Sequence, residues 1–365
     1  MSVRFRTFAA PLLLVPAIGF AAIPARAQAP APIGVAAPLT GPIALLGRQV
    51  VAGAQAASGG TPILSADTRC QAEGGAEAAR QLRAQGARIA VGFLCAEALE
   101  AALPILGEAG IPTIAVGVRA DRITDDRARS GAPVWRLGPR SGAEAQALAR
   151  AIRERWGAAS FALVDDGGTE SRALVDAVRA ALEAEGRAPA IAVTLRAGAA
   201  NQSLLVGRIA ASGARNVVIA AGPSDAAVLA RDAAAAGTPL ALLGSESLFD
   251  ERAAGEAPDL PAGTLAVAER GFYPLGDPAA PGADVDPTAA GYRRISTAAV
   301  EIANQVLRDA GDTAELRDGL AAGDFSTILG PVSFDGKGDA SLDHFGLFEW
   351  RDGRFQPTDT AEAAR

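Results

Sequence analysis

Histidine and lysine are almost absent from this 365-residue chain, which has one of each, His344 and Lys337. A single histidine leaves no multi-histidine metal site and works against a histidine-dependent catalytic triad. Basic residues number 34 against 41 acidic ones, for a net charge of −7 and a pI near 5.0, and no dense basic run occurs. Nucleic-acid binding is therefore not expected, because affinity for a phosphate backbone rests on clustered cations. Beyond residue 27 there is no run of about 20 uninterrupted apolar residues, so the mature chain is not expected to insert into a membrane. No Gly-x-Gly-x-x-Gly follows a strand-like run, and neither a Walker-type loop nor a Gly-x-Ser-x-Gly elbow is present. No cofactor and no metal are expected.

What is present is a long, core-forming chain. Hydrophobic residues make up 49% and charged ones 21%, enough to bury a core, and the length suits two domains. Residues 1–27 read as a secretory leader: Arg4 and Arg6 precede an apolar stretch over 8–23, and Ala25-Arg26-Ala27 offers a small-x-small cleavage site before Gln28. The alternative is an uncleaved anchor, but the apolar run is short and broken by Pro11, Pro16 and Pro24. Removing the leader takes three arginines from the 34 basic residues, leaving 31 against 41 acidic ones and a net charge of −10. The expected destination is outside the cytosol, in an oxidising compartment, so Cys70 and Cys95 read first as one disulfide. A loop of 25 steps closed in this way is worth roughly 3 kcal/mol. Two buried thiols are the alternative; a metal site is disfavoured, since neither cysteine has a ligand at metal spacing.

From residue 32 onward, short β-like runs alternate with longer helical ones. Strands are expected over 33–37, 62–66, 88–94 and 112–117, with helices over 45–57, 77–85 and 97–109. After a break near 130–133 the series restarts, with helices over 143–156, 171–185, 202–212 and 225–236 and strands over 160–164, 191–195, 216–220 and 240–243. Residues 253–288 read as loop and crossing, 289–310 as a helix, and 328–355 as strands with turns at Asp335-Gly336 and Asp352-Gly353. Near-continuous apolar strands spaced by helices indicate parallel sheets covered on both faces.

Catalytic groups do not assemble from this pattern. Asp165-Asp166 at a strand end reads as a loop with one capping aspartate, because adjacent residues there point apart. His344 reads as a surface or packing residue, with no nucleophile motif beside it, and no enzyme activity is expected. An exported protein of two α/β lobes can instead bind a small solute at the carboxyl ends of its strands and enclose it by hinge closure.

The segment Ile33-Gly34-Val35-Ala36-Ala37-Pro38-Leu39-Thr40-Gly41-Pro42, with Leu46-Gly47 and Gly53-Ala54, resembles the opening of the leucine/isoleucine/valine-binding family of type I periplasmic binding proteins. So do Asp67 to Cys70 with Val91-Gly92-Phe93-Leu94-Cys95, then Ala109-Gly110-Ile111-Pro112-Thr113-Ile114, and the C-terminal Gly330-Pro331-Val332-Ser333-Phe334-Asp335-Gly336-Lys337-Gly338-Asp339. The resemblance runs over roughly 32–355. It implies two doubly wound parallel-sheet lobes joined by a three-strand hinge, crossing near 138, 268 and 329. Lobe 1 would comprise 28–138 and 269–328, lobe 2 would comprise 139–268 and 329–355, and 356–365 would be a tail. It implies a monomeric receptor that delivers amino acids or related polar or carboxylate solutes to an inner-membrane ABC permease. A sensor or orphan binding module of the same fold is the second reading.

The resemblance also marks ligand-binding positions, and most depart from the family pattern. The serine expected after the second cysteine is Ala96, and the hydroxyl residue expected after the next strand matches Arg119, with Gly117 two before it. The aromatic lid position is Leu46, the second-lobe Tyr-Gly is Glu170-Ser171, and a further pocket tyrosine is Gly222. Glu246, in Gly244-Ser245-Glu246-Ser247, keeps the acid that would pair with an α-ammonium. A guanidinium binds a carboxylate bidentately where a threonine does not, so Arg119 and the two glutamates suit a zwitterion or another charged solute. The alternative for Arg119 is an outward pairing with Asp121 or Asp125.

Overall fold

The apolar runs of the N-terminal part become parallel strands buried on both faces. The computed structural model describes residues 1–2, 31–250, 259–273 and 288–358. The leader expected over 1–27 lies outside these residues, except for its first two. In the first sheet, β1 (Ile33–Ala37) lies between β2 (Ile63–Asp67) and β3 (Ile89–Gly92), and β4 (Thr113–Ala115) and β5 (Val134–Arg136) follow, in the order β2-β1-β3-β4-β5. All of these pairings are parallel. Helices α1 (Ala44–Ala56), α2 (Ala72–Ala84) and α3 (Ala96–Glu108) connect them, and the short α4 (Arg122–Asp125) and α5 (Arg127–Ser130) precede β5.

After α6 (Ala143–Trp156) the second sheet repeats the plan. It contains β6 (Phe161–Asp165), β7 (Ile191–Thr194), β8 (Asn216–Ala220), β9 (Ala241–Gly244) and β10 (Leu265–Glu269), connected through α7 (Thr169–Glu183), α8 (Ser203–Ala211) and α9 (Pro223–Ala235). The chain then adds α10 (Arg293–Asp309), α11 (Thr313–Ala322) and a hairpin of β11 (Phe325–Thr327) and β12 (Gly330–Val332). Finally β13 (Phe345–Arg351) and β14 (Arg354–Pro357) join antiparallel beside β10, completing the order β14-β13-β10-β9-β8-β6-β7. The parallel part of each sheet has the same order, with a switch point between β1 and β3 and another between β6 and β8. At such points the loops at the carboxyl ends of the strands diverge and leave a crevice.

Alternate side chains of each strand feed two cores. Ile33, Val35 and Ala37 face Val50 and Ala54 of α1 and Ile295, Ala299 and Ile302 of α10. Ala36, Ala66 and Ala90 face α2 and α3 through Ala78, Leu82, Leu99 and Ala102. In the second sheet, one face packs on α8 and α9 and the other on α6 and α7. The expected two doubly wound parallel-sheet lobes are therefore present.

Several boundaries differ from the sequence reading for physical reasons. Helix α2 begins a turn or more earlier than 77 because Gly74 and Gly75 serve close backbone approaches: a Cβ on Gly74 would lie 2.1 Å from the carbonyl oxygen of Thr68, and one on Gly75 1.9 Å from that of Ala98 in α3. Strand β10, inside a stretch expected to be loop, is a short apolar run that gains its order from pairing with β9 and β13. Helix α11 was not anticipated, although Asp312 and Glu315 form a capping box at its start. Residues 325–342 pack on the first core through Phe325, Val332, Phe334 and Leu342, and the chain joins the second sheet at Phe345.

Cys70 and Cys95 form a disulfide with a Cα–Cα distance of 5.3 Å. It ties the loop after β2 to the loop after β3, across the end of β1, and Cys95 is the N-cap residue of α3. Reduction, or Cys70→Ser with Cys95→Ser, is expected to lower the unfolding free energy by about 2–4 kcal/mol in urea titrations. Gly75→Ala is expected to cost about 1–3 kcal/mol by forcing α2 and α3 apart.

Candidate functional site

The residues at the carboxyl ends of the strands bring charged groups from the two sheets together. Arg119 lies on the loop after β4, Glu246 on the turn after β9, and Glu269 ends β10. Arg119 Nη1 donates to Glu246 Oε1 at 3.0 Å, and Nη2 donates to Glu269 Oε2 at 3.0 Å. The outward pairing is not adopted: Asp121 and Asp125 pair with Arg140, and Asp125 also binds Lys337. Behind Glu246, Glu144 in the first turn of α6 accepts the Glu246 backbone N–H at 2.9 Å.

A buried guanidinium aims this arrangement. Arg136, at the end of β5, is sealed from solvent and donates from Nε to Asp339 Oδ1 at 2.8 Å. Its Nη1 donates to the carbonyl oxygens of Arg119 at 3.1 Å and Ala120 at 2.9 Å, and Nη2 donates to Thr124 Oγ1 at 2.6 Å. The loop that presents Arg119 is therefore fixed from beneath. On the neighbouring strand mouths, Asp67 accepts from Leu39 N at 2.8 Å and Thr40 Oγ1 at 2.6 Å, which orders the loop after β1.

The remaining expected positions occupy different settings. Gly117 is half-buried, and a Cβ there would lie 2.5 Å from Leu94 Cδ2 and 2.8 Å from Tyr292 Cε1, so its role is to admit the Tyr292 ring. Ala96 opens α3 beside the disulfide, Gly222 is the N-cap of α9, and Leu46 lies in the first turn of α1; all three are half-buried and bring no charge. Glu170 is exposed in the first turn of α7. The contacts of the ion cluster thus join Arg119 with Glu246 and do not extend to Glu170. His344 precedes β13, and its backbone carbonyl accepts from Arg270 N at 2.8 Å. Burial and the nearby Arg119 push its ring down to about 4, so it is neutral at physiological pH. Of the adjacent aspartates, Asp165 accepts from Gly167 N and Asp166 from Gly168 N, while the N-cap residue of α7 is Gly168.

Glu144, Glu269, Tyr273 and Tyr292 were not singled out in the sequence. Glu269 had a legible signal, since it is the charged residue that ends the apolar run Leu265-Ala266-Val267-Ala268. Burial, reinforced by Glu246, pushes Glu144 up to about 7. Burial does the same to Glu269, against the opposing pull of Arg119. Burial works against the charge of Arg119, but Glu246 and Glu269 outweigh it and raise its pKa. Burial raises both tyrosines, Tyr292 to about 12, with Glu269 adding to Tyr292 and Glu246 to Tyr273. The site is an acceptor-rich space with one guanidinium and two phenols. Among the described residues no group of metal-ligating side chains is present, and no helix is long and apolar enough to cross a membrane.

Comparison with known proteins agrees with the fold. The sequence matches the family described as periplasmic binding protein over residues 30–354. It is 27% identical over 360 residues to Leu/Ile/Val-binding protein homolog 3 of Brucella melitensis, covering 92% of this chain and 95% of that one. An ABC transporter substrate-binding protein from Desulfitobacterium hafniense, solved with Leu, superposes with a TM-score of 0.63 at 20% identity, covering 89% of this chain and 98% of that one. A counterpart from Sphaerobacter thermophilus gives a TM-score of 0.65 at 19% identity, covering 90% and 96%.

Because Glu144 and Glu269 titrate above the usual carboxylate range, the native state holds protons there that the unfolded chain releases between about pH 4.5 and 7. Stability from these groups is present at low pH and is lost as pH rises through about 7. For Glu269 the loss is about 3 kcal/mol. Urea unfolding is expected to show higher stability at pH 5 than at pH 8, with Glu269→Gln reducing the difference; an unchanged slope in that variant would contradict the assignment.

Proposed function

The chain belongs to the periplasmic binding protein family, and from that premise we propose that it is the solute-binding receptor of an ABC transporter. Its ligand would be an amino acid or a related small polar or carboxylate solute, enclosed between the lobes by hinge closure. The reading is carried by one observation: Arg119 on the mouth of the first sheet reaches Glu246 and Glu269 on the mouth of the second. Charged groups that meet across a cleft at the carboxyl ends of two parallel sheets form a site a polar solute can enter.

In this reading a ligand carboxylate pairs with Arg119 and its ammonium with Glu246, so the solute inserts into an ion pair that already spans the lobes. Two charge-assisted contacts replace one, and the closed form keeps its electrostatic bridge through the ligand. Ala96 and Gly222 offer backbone and space rather than hydroxyl groups, Gly117 leaves room for the Tyr292 ring, and Leu46 and Glu170 stand at the rim. The closed receptor would dock as a monomer on an inner-membrane permease. Export follows from the leader over 1–27, and N-terminal sequencing of protein recovered from the periplasm is expected to begin at Gln28; a chain retaining Met1 would contradict it.

Thermal unfolding of protein that has been unfolded and refolded, which removes captured solute, tests the receptor reading. A ligand at 100 times its Kd adds about 2.7 kcal/mol, a shift of several degrees. A shift is expected with amino acids or related solutes, together with its loss in Arg119→Ala and Glu246→Ala. No shift across amino acids, dicarboxylates, amides and polyamines would overturn the reading.

A further inference from the structure

The charges that meet in the cleft do not balance. Among the described residues, one guanidinium, Arg119, is paired into the cluster, against Glu246 and Glu269 in direct contact and Glu144 behind them. A neutral zwitterion placed between Arg119 and Glu246 satisfies its own two charges and leaves this surplus unchanged. Glu269 has 9% of its side chain exposed, so solvent cannot neutralise it. Ala96 brings no hydroxyl donor to the site, so Arg119 is the donor that faces these acceptors.

The cation already present shows what the acceptors are shaped for. One guanidinium reaches Glu246 and Glu269 at the same 3.0 Å, so these carboxylates are spaced to share a single multi-proton cation. Aromatic rings border the same space: Tyr292 meets Phe272 edge-on at 5.1 Å, and Phe272 meets Tyr273 at 5.2 Å. Ring faces attract cations further.

Resting on the receptor reading above, we propose that the cleft selects a solute of net positive charge carrying two amino groups. One ammonium takes the place of the Arg119 guanidinium between Glu246 and Glu269, and the second lies against Glu144. The released Arg119 turns to the ligand's carboxylate where there is one. Dicarboxylates are rejected because they add to the surplus.

In the empty site the surplus is relieved by protons, since Glu144 and Glu269 both titrate near 7. The groups facing them are Arg119, Glu246, Tyr273 and Tyr292, with Asp250 beside Glu246 and Tyr273 and His344 beside Arg119. His344, held near 4, stays neutral between pH 6 and 8. A cation and a proton compete for the same carboxylates, so cation affinity rises with pH across that interval.

Calorimetric titration of the refolded chain with L-lysine, L-ornithine, putrescine, L-leucine and L-glutamate, at pH 6 and pH 8, tests this. At least one of the three diamino compounds is expected to bind about tenfold or more tightly than L-leucine at pH 8, and to weaken several-fold at pH 6. Glu144→Gln and Glu269→Gln are expected to erase most of that preference. L-leucine or L-glutamate binding as tightly as the diamino compounds would overturn the inference and leave the receptor reading standing. No binding by any compound would overturn it too, and the broader thermal panel would then decide the receptor reading separately. If Glu269→Gln fails to fold, the wild-type ligand series still decides.

Discussion

A guanidinium sealed from water has to be satisfied entirely by the protein, and the site in this molecule depends on how Arg136 meets that demand. Its donors reach a carboxylate, two backbone carbonyls and a hydroxyl. An unpaired buried charge is costly enough that these partners are held in place as a unit. One of the carbonyls belongs to Arg119 itself, and the carboxylate, Asp339, lies on the segment that leads into β13 of the second sheet. The residue that reaches across the cleft and the chain that crosses it therefore share one anchor. Arg140 strengthens the arrangement by pairing with Asp121, Asp125 and Asp339.

The ion pair that Arg119 makes with Glu246 and Glu269 is a compromise between competing terms. Burial disfavours every charge in it, and Coulomb attraction recovers part of that cost. The carboxyl that gains least from the guanidinium, Glu144, is pushed up to about 7 largely by its burial. An ion cluster of this kind contributes little to stability, since apolar packing would serve that purpose as well or better. It is held by the strand mouths on both sides, by Arg119 from the first sheet and by Glu246 and Glu269 from the second.

Much of the architecture was legible because strand and helix periods are strong signals. Ile33–Ala37 and Asn216–Ala220 have the extents expected from their apolar runs, and α6 spans the residues expected of it. What escaped depended on distant partners. Strand β10 is ordered by β9 and β13, the start of α2 by the close passage of α3, and the hairpin at 325–332 by the first core. For the site, Arg119 and Glu246 could be named from family resemblance, but their pairing could not, since 127 residues separate them. Glu144 and Glu269 carry no local pattern beyond a glutamate at a helix start or strand end; only the fold gives them neighbours.

The placement of α10 bears on the order in which the molecule can be assembled. Val35, Val91 and Trp135 of the first sheet share a core with Ile295, Ala299 and Ile302, and with Phe325 and Phe334 further on. The whole second series of strands and helices lies between them in the sequence. A chain emerging from its N-terminus has only α1 to cover this face of its first sheet until α10 and the residues after it have appeared. Contacts of such long sequence separation form slowly, and the exposed face is a target for aggregation in the meantime. Both sheets are thus completed only by the last part of the chain, the first core by α10 and the second sheet by β13 and β14, which favours a chain kept unfolded until its full length is available.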